Sequence, residues 1–263
     1  MSSAARATSG IVELIKTVVY ALLIAAVFRT LLFQPFWIPS GSMKPNLLIG
    51  DFLFVNKFAY GYSQHSCPFS ICPFSGRILA NEPERGDIIV FKHPRTGEEY
   101  IKRLIGLPGD RIAMRDGVLS INGTPVSLRP EPNFVEPKIN QALQTSSNWP
   151  ACINEPVGVG GDCEKLQFSE LLPGGVDHTI LEVRRDTGDQ YREERVPEGQ
   201  YFFMGDNRDN SRDSRTPRNR GGVGFVPFEN LIGRADRIIF SSGGDSLLSF
   251  WDWRAERFFM GVD

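Results

Sequence analysis

Polarity along the chain changes character three times, and each change predicts a different kind of element. From Thr17 to Phe33 the residues are apolar apart from Arg29 and Thr30. At 1.5 Å per helical residue this run and its flanks roughly match the ~30 Å hydrocarbon core of a bilayer. It reads as a single retained anchor, because Val27, Phe28 and Arg29 follow Ala25 and Ala26 where a cleavable leader needs small residues two apart. Arg6 and Lys16 precede it while Arg29 and Lys44 follow, so charge does not orient it. The competing reading is a buried amphipathic helix, since Arg29 is costly in lipid unless it snorkels to the interface.

Past the anchor the pattern becomes short apolar runs between turns. Asp51 to Phe58, Asp87 to Lys92, Tyr100 to Ile105 and Tyr201 to Met204 predict strands, and 26 glycines and 18 prolines punctuate them. The part beyond the anchor is therefore expected to be mainly β. There are no heptads, internal repeats or βαβ units with a Gly-rich phosphate loop, which argues against a nucleotide enzyme. From about Arg129 to Glu198 the sequence turns polar, proline-rich and irregular, which predicts an insertion that extends the sheet of a discontinuous core. The last segment, Leu247 to Phe259, mixes aromatics with arginines as an interfacial helix does, and a helix packed on the domain is the alternative. The expected organisation is an N-terminal tail and anchor (1–33), a catalytic core in two parts (34–128 and 199–243), an inserted β-rich subdomain (129–198) and an amphipathic C-terminal segment (244–263).

Charge and cysteines narrow the partners. With 29 basic against 31 acidic residues, no strongly basic surface argues for nucleic acid, and peptide or lipid is the expected partner. Four cysteines form two local groups, Cys67 with Cys72 and Cys152 with Cys163; an even count outside the cytoplasm favours disulfides between neighbours, with three connectivities open. Zinc is the competing reading, but neither a CxxC spacing nor a nearby histidine pair supports it. His65, His93 and His178 are scattered among unrelated neighbours, so they build no Ser/His/Asp triad.

Attention therefore passes to serine and lysine. Pro39-Ser40-Gly41-Ser42-Met43-Lys44-Pro45 places two hydroxyls in a Gly/Pro-constrained turn just beyond the anchor. Tyr100 to Ile105 reads as a strand ending in the turn Gly106-Leu107-Pro108-Gly109-Asp110, with Tyr100, Lys102 and Leu104 on one face and Arg103 on the other. A lysine at its free pKa of about 10.4 cannot take a proton from serine at neutral pH. Lowering that value by about 3 units costs roughly 4 kcal/mol, which burial in an apolar site can supply. A third segment, Gly205-Asp206-Asn207-Arg208-Asp209-Asn210-Ser211-Arg212-Asp213-Ser214-Arg215, fails as a calcium loop because Arg208 stands where an oxygen is needed and no glycine or final glutamate is in register. It reads as an internally bonded scaffold in which Asp213 pairs with Arg215 and Ser211 offers a hydroxyl to a nearby amine.

These segments, with Arg85-Gly86-Asp87-Ile88-Ile89-Val90-Phe91 between them, resemble the four ordered boxes of the bacterial type I signal peptidases, over the anchor and most of the remaining chain. The resemblance implies a signal-peptidase-like β fold with an N-terminal transmembrane helix and an inserted second β-rich subdomain. It implies Ser42 as nucleophile, Lys102 as general base, and Ser40 with the Ser42 backbone N–H as oxyanion donors. Ser211 would orient the lysine, and Asp213, Arg215 and Arg103 would support the site. Phe36, Ile38, Tyr100 and Ile101 would line pockets for small side chains before the cut. No cofactor or metal is implied. The implied partners are exported preproteins bearing signal peptides, the lipid bilayer and the secretion translocon. The implied place is the cytoplasmic membrane, single-pass, with the catalytic part on the periplasmic side. The resemblance also suggests the Cys152 with Cys163 pairing, while Cys67 with Cys72 has no counterpart. The chain departs from the family after Arg215, where Thr216-Pro217-Arg218-Asn219-Arg220-Gly221-Gly222 replaces the usual aromatic and glycine. A peptidase dedicated to a single pilus or conjugation precursor would keep the same residues, whereas a tethered module that only binds peptides would make Ser42 and Lys102 accidental. The self-cleaving repressors share the dyad but carry a helix-turn-helix segment that this chain lacks.

Overall fold

The computed structural model describes residues 3–66, 73–141, 149–184, 187–244 and 249–262, with the side chains of 11–25 and 27 in the N-terminal helix. Helix α1 (Ser3–Leu31) ends where Phe33 begins the first strand, so the apolar run divides between two elements. Its described apolar side chains face outward on every side, from Ile11 (58% exposed) to Ile24 (70%) and Val27 (57%). Among the described residues no helix is long and apolar enough to cross a membrane.

Fourteen strands follow. They are β1 (Phe33–Trp37), β2 (Asp51–Asn56), β3 (Ile88–Lys92), β4 (Glu99–Gly106), β5 (Arg111–Arg115), β6 (Val118–Ile121), β7 (Thr124–Pro125), β8 (Ser127–Pro137), β9 (Asp162–Leu171), β10 (Asp177–Glu182), β11 (Tyr191–Arg195), β12 (Gln200–Met204), β13 (Val226–Pro227) and β14 (Leu231–Ser241). The four runs expected as strands are β2, β3, β4 and β12. A seven-stranded sheet has the order β1-β2-β14-β3-β4-β12-β13. The unbroken apolar run of β3 reflects burial on both faces. Ile88 and Val90 join Leu53, Val55, Ile101, Ile232 and Ile238 in one core, while Ile89 and Phe91 join Leu104, Tyr201, Phe203 and Leu231 in another. The sheet curls enough for Ile38 and Met43, just past the edge strand β1, to share the first core with Ile101 of β4.

Between β4 and β12 the chain does not extend this sheet as the sequence suggested. It closes two sheets of its own, β11-β5-β6-β7 and β10-β9-β8, because Asp110 caps the turn after β4 through Leu107 N (2.7 Å) and sends β5 away to pair with β6 and β11. Cys152 and Cys163 form a disulfide with Cα atoms 5.1 Å apart. The Cys67 with Cys72 pairing lies outside the described residues.

Among the described residues the expected C-terminal helix is not formed. Residues 250–252 and 255–257 are separate 3-10 turns laid against β14, with backbone bridges from Ser242 to Trp253 and from Arg237 to Gly261. Arginines that would line a helix face are used instead as ties: Arg254 donates to Ser242 O (2.7 Å), and Arg257 donates to Asp51 Oδ2 (2.6 Å) and Asn46 O (3.0 Å). Rings from this segment continue a row across the outer face of β1, β2 and β14. Phe33 stacks on Phe54, Trp37 meets Phe52 edge-on at 4.3 Å, and Phe240 lies 5.0 Å from Trp253. Phe250, Trp251 and Phe259 at its end are 68%, 72% and 66% exposed.

Candidate active site

Two prolines frame the serine turn, and Gly41–Met43 winds as a single 3-10 turn closed by Lys44 N donating to Gly41 O (3.2 Å). Met43 is fully buried in the first core, which fixes its neighbour Ser42 against β4. The third segment holds the turn from the other side. Asn207 donates its backbone N–H to Ser42 O (3.1 Å) and its side-chain amide to Gly41 O (2.9 Å). Gly205 passes so close that an added Cβ would sit 2.5 Å from Ser42 O and 2.3 Å from Ser211 Oγ, so no side chain fits there.

Lys102 Nζ, on β4, donates to Ser42 Oγ at 2.6 Å and to Ile101 O at 2.9 Å. Its side chain lies on the face with Tyr100, whose ring centre is 5.7 Å away, and Ile89 is its ladder partner on β3. The residue is 4% exposed, and burial lowers its pKa to about 8, against the pull of Asp213 and Asp206 and with the help of Arg215. The two carboxylates are themselves satisfied. Burial alone would raise the Asp213 pKa, but Arg215 holds it below the ordinary value through Nε to Oδ1 (3.0 Å) and Nη2 to Oδ2 (2.9 Å), with Gly205 N adding a bond of 3.0 Å. Asp206 is likewise held ionised against burial by a forked pair with Arg103, at 2.9 and 3.0 Å. Paired in this way, neither acid uses the lysine as its main counter-ion, which explains how a lysine beside two buried carboxylates keeps a low pKa.

Ser40 is exposed, with Oγ 3.3 Å from Ser42 Oγ. Ser211, expected to orient the lysine, makes no hydrogen bond to it. Its hydroxyl is near enough to Asp213 to help keep that group ionised, yet completes no well-formed bond. Ile101 and Ile38 are 5% and 0% exposed and share the first core, with Phe36 packed against it, whereas half-buried Tyr100 sits on the opposite face beside Phe91 and His93. The structure thus unites Ser40, Ser42, Lys102, Asp213 and Arg215 in one place and splits the four proposed pocket residues between two faces.

Sequence reasoning missed Asn207, although it stands inside a recognised segment, and missed a buried ion cluster beside the turn. Lys44 Nζ pairs with Glu136 Oε2 of β8, Lys165 Nζ of β9 donates to Glu136 Oε1 (2.6 Å), and Gln141 bonds both Lys44 (2.8 Å) and Glu136 (2.6 Å). Lys44 stood in the serine motif with no partner visible, and nothing in the sequence around Glu136 or Lys165 marked them.

The family model described as "Signal peptidase, peptidase S26" matches residues 11–240. Signal peptidase I of Rickettsia typhi and that of Rickettsia prowazekii are each 40% identical to this chain over 243 residues, covering 89% of it and 80% of the relative. A crystal structure of signal peptidase I from Enterococcus faecalis is 33% identical, covers 59% of this chain and 97% of that one, and superposes loosely, with a TM-score of 0.30.

Proposed function

We infer the mechanism from one premise: the chain belongs to the signal peptidase family, peptidase S26. It is a serine peptidase that removes signal peptides. In our reading Ser42 is the nucleophile and Lys102 the general base. The uncharged amine takes the Ser42 Oγ proton as that oxygen attacks the carbonyl carbon of the scissile bond, and the resulting ammonium passes the proton to the departing amine. Water, deprotonated by the same amine, then releases the acyl group from Ser42. The Ser40 hydroxyl and the Ser42 backbone N–H receive the oxyanion. Asp213, Arg215 and Arg103 act through Lys102 by keeping nearby charge paired, and Phe36, Ile38, Tyr100 and Ile101 limit the residues before the cut to small ones.

The observation that carries this reading is the 2.6 Å bond between a buried lysine and Ser42 Oγ, in a site where burial brings the lysine pKa to about 8. A surface lysine would stay charged, and the serine would have no acceptor for its proton.

The catalytic part sits at the bacterial cytoplasmic membrane on its periplasmic side, where exported preproteins present their leaders, with α1 as its main contact with lipid. The outward apolar side chains of α1 between Ile11 and Val27 support this, since apolar surface left in water is unfavourable by about 25 cal/mol per Å². The exposed ring surface ending in Phe250, Trp251 and Phe259 supports a second contact with lipid. The translocon is the expected neighbour.

The test is cleavage of a signal-bearing precursor by the full chain in detergent micelles. Ser42→Ala and Lys102→Ala are each expected to abolish cleavage while circular dichroism stays unchanged. Cleavage by either variant at the normal rate would overturn the dyad.

A further inference from the structure

The ion cluster beside the nucleophile belongs to strands far from it in sequence. We propose that Glu136 and Lys44 are positioning residues, a clamp through which the β8–β9 ribbon fixes the Ser42 turn. The proposal rests on Ser42 being the nucleophile, as inferred above.

Three observations carry it. First, the cluster is dry and its charges are mutually dependent. Lys44, Glu136 and Lys165 are 4%, 7% and 2% exposed, and one carboxylate serves two ammonium groups, one on each oxygen. Burial alone would raise the Glu136 pKa, yet the two lysines hold it below the ordinary carboxylate value, while burial lowers that of Lys44 against the attraction of Glu136. Glu136 therefore cannot leave without stranding two ammonium groups in the interior.

Second, Lys44 lies against the turn itself. A Cβ placed on Gly41 would meet Lys44 Cε at 3.3 Å and Cδ at 3.4 Å, so the lysine stem covers the backbone that leads into Ser42. Asn207 grips the turn through its carbonyls, and Lys44 closes the other side. Third, the ribbon end of the clamp is braced. Glu136 faces Cys163 in the β8–β9 register, and Cys163 is bonded to Cys152. The ribbon is also tied to the core at a second point, where Arg208 makes a forked pair with Glu170 of β9. A carboxylate presented by a braced strand is a fixed point, and the lysine stem transmits its position to the serine turn.

The experiment measures kcat, KM and melting temperature for the full chain in micelles, together with the rate at which a small phosphonate ester modifies Ser42 without using the peptide pockets. Glu136→Gln keeps the shape of the side chain but strands two ammonium groups. It is expected to lower kcat and the phosphonate rate in parallel by about 10- to 100-fold, the usual effect of a displaced reacting group, with KM within about twofold. Lys44→Met leaves the Glu136–Lys165 pair intact and is expected to lower kcat about fivefold, and the double variant should be no slower than Glu136→Gln alone. Additive losses, or a fall in melting temperature with kcat and phosphonate rate unchanged, would overturn the clamp. Should Glu136→Gln fail to fold, Lys44→Met decides alone, unchanged kcat being the refuting result. Failure of the dyad would show separately, as phosphonate modification that survives Ser42→Ala.

Discussion

Removing the Arg215 guanidinium should make the enzyme need a more alkaline medium. Arg215 does two things for Lys102: its own positive charge disfavours the ammonium, and it occupies Asp213, which would otherwise favour it. In Arg215→Met both influences reverse in the same direction, leaving a fully buried carboxylate with two backbone donors, Gly205 N and the N–H of residue 215, and no counter-charge. An opposite charge close to a titrating group moves its pKa by about 1–3 units, so the Lys102 value should rise from about 8 by at least about one unit. At pH 7 about a tenth of the wild-type lysine is neutral; a one-unit rise reduces that roughly tenfold, equivalent to about 1.4 kcal/mol. The assay is the pH profile of kcat/KM on a signal-bearing precursor. The variant should be about tenfold slower at pH 7 and recover as pH passes the new midpoint. The double variant Asp213→Asn/Arg215→Met removes the charge that causes the shift and should return the midpoint toward that of wild type. A folded Arg215→Met protein with an unmoved midpoint would refute the account of how the base is kept neutral.

Three further outcomes are expected. Lys102→Met should inactivate the enzyme yet stabilise it, by about 3 kcal/mol at pH 7, because the folded pKa of about 8 lies below the unfolded value of 10.5. The destabilisation that it removes is complete below about pH 8 and vanishes as pH rises past 10.5, so denaturant titration should find the gain shrinking across that window. Ser40→Ala should lower kcat about 10²- to 10³-fold with little change in KM, as loss of one oxyanion donor does; unchanged turnover would remove Ser40 from that role. Replacing Phe250, Trp251 and Phe259 together by serine should weaken binding of the protein to vesicles of neutral lipid in a flotation assay without altering cleavage of a short soluble peptide.

Local pattern made the strands legible and drew attention to Ser42 and Lys102, which the structure sets 2.6 Å apart. The alternation that put Tyr100, Lys102 and Leu104 on one face survives in β4, and Ser42 needed only its motif. What escaped was everything set by pairing over long distances. The span from Arg111 to Arg195 could not be assigned to separate sheets because β8 exposes most of its length, which hides its alternation, and β11 pairs with β5, about 80 residues earlier. Glu136 and Lys165 look like solvated charges in sequence, and only the approach of the ribbon to Lys44 dries them. The C-terminal helix failed for a related reason: Arg254 and Arg257 have carbonyl and carboxylate partners near Asn46 to Asp51, about 200 residues earlier, and those ties outweigh local helical preference. For Ser211 the motif supplied a role toward the lysine, whereas the structure sets its hydroxyl beside Asp213 and Gly205.

The separations between the serine turn and the groups that complete it bear on how the molecule is born. Lys102 follows Ser42 by 60 residues, Glu136 follows Lys44 by 92, and Asn207 follows Gly41 by 166. On the mechanism proposed above, a growing polypeptide exposes Ser42 first and supplies Lys102, Glu136 and Asn207 in turn. Until then the alcohol is chemically ordinary. On that mechanism a chain that stops short of Asn207 lacks the grip on the serine turn and should leave neighbouring leaders uncut.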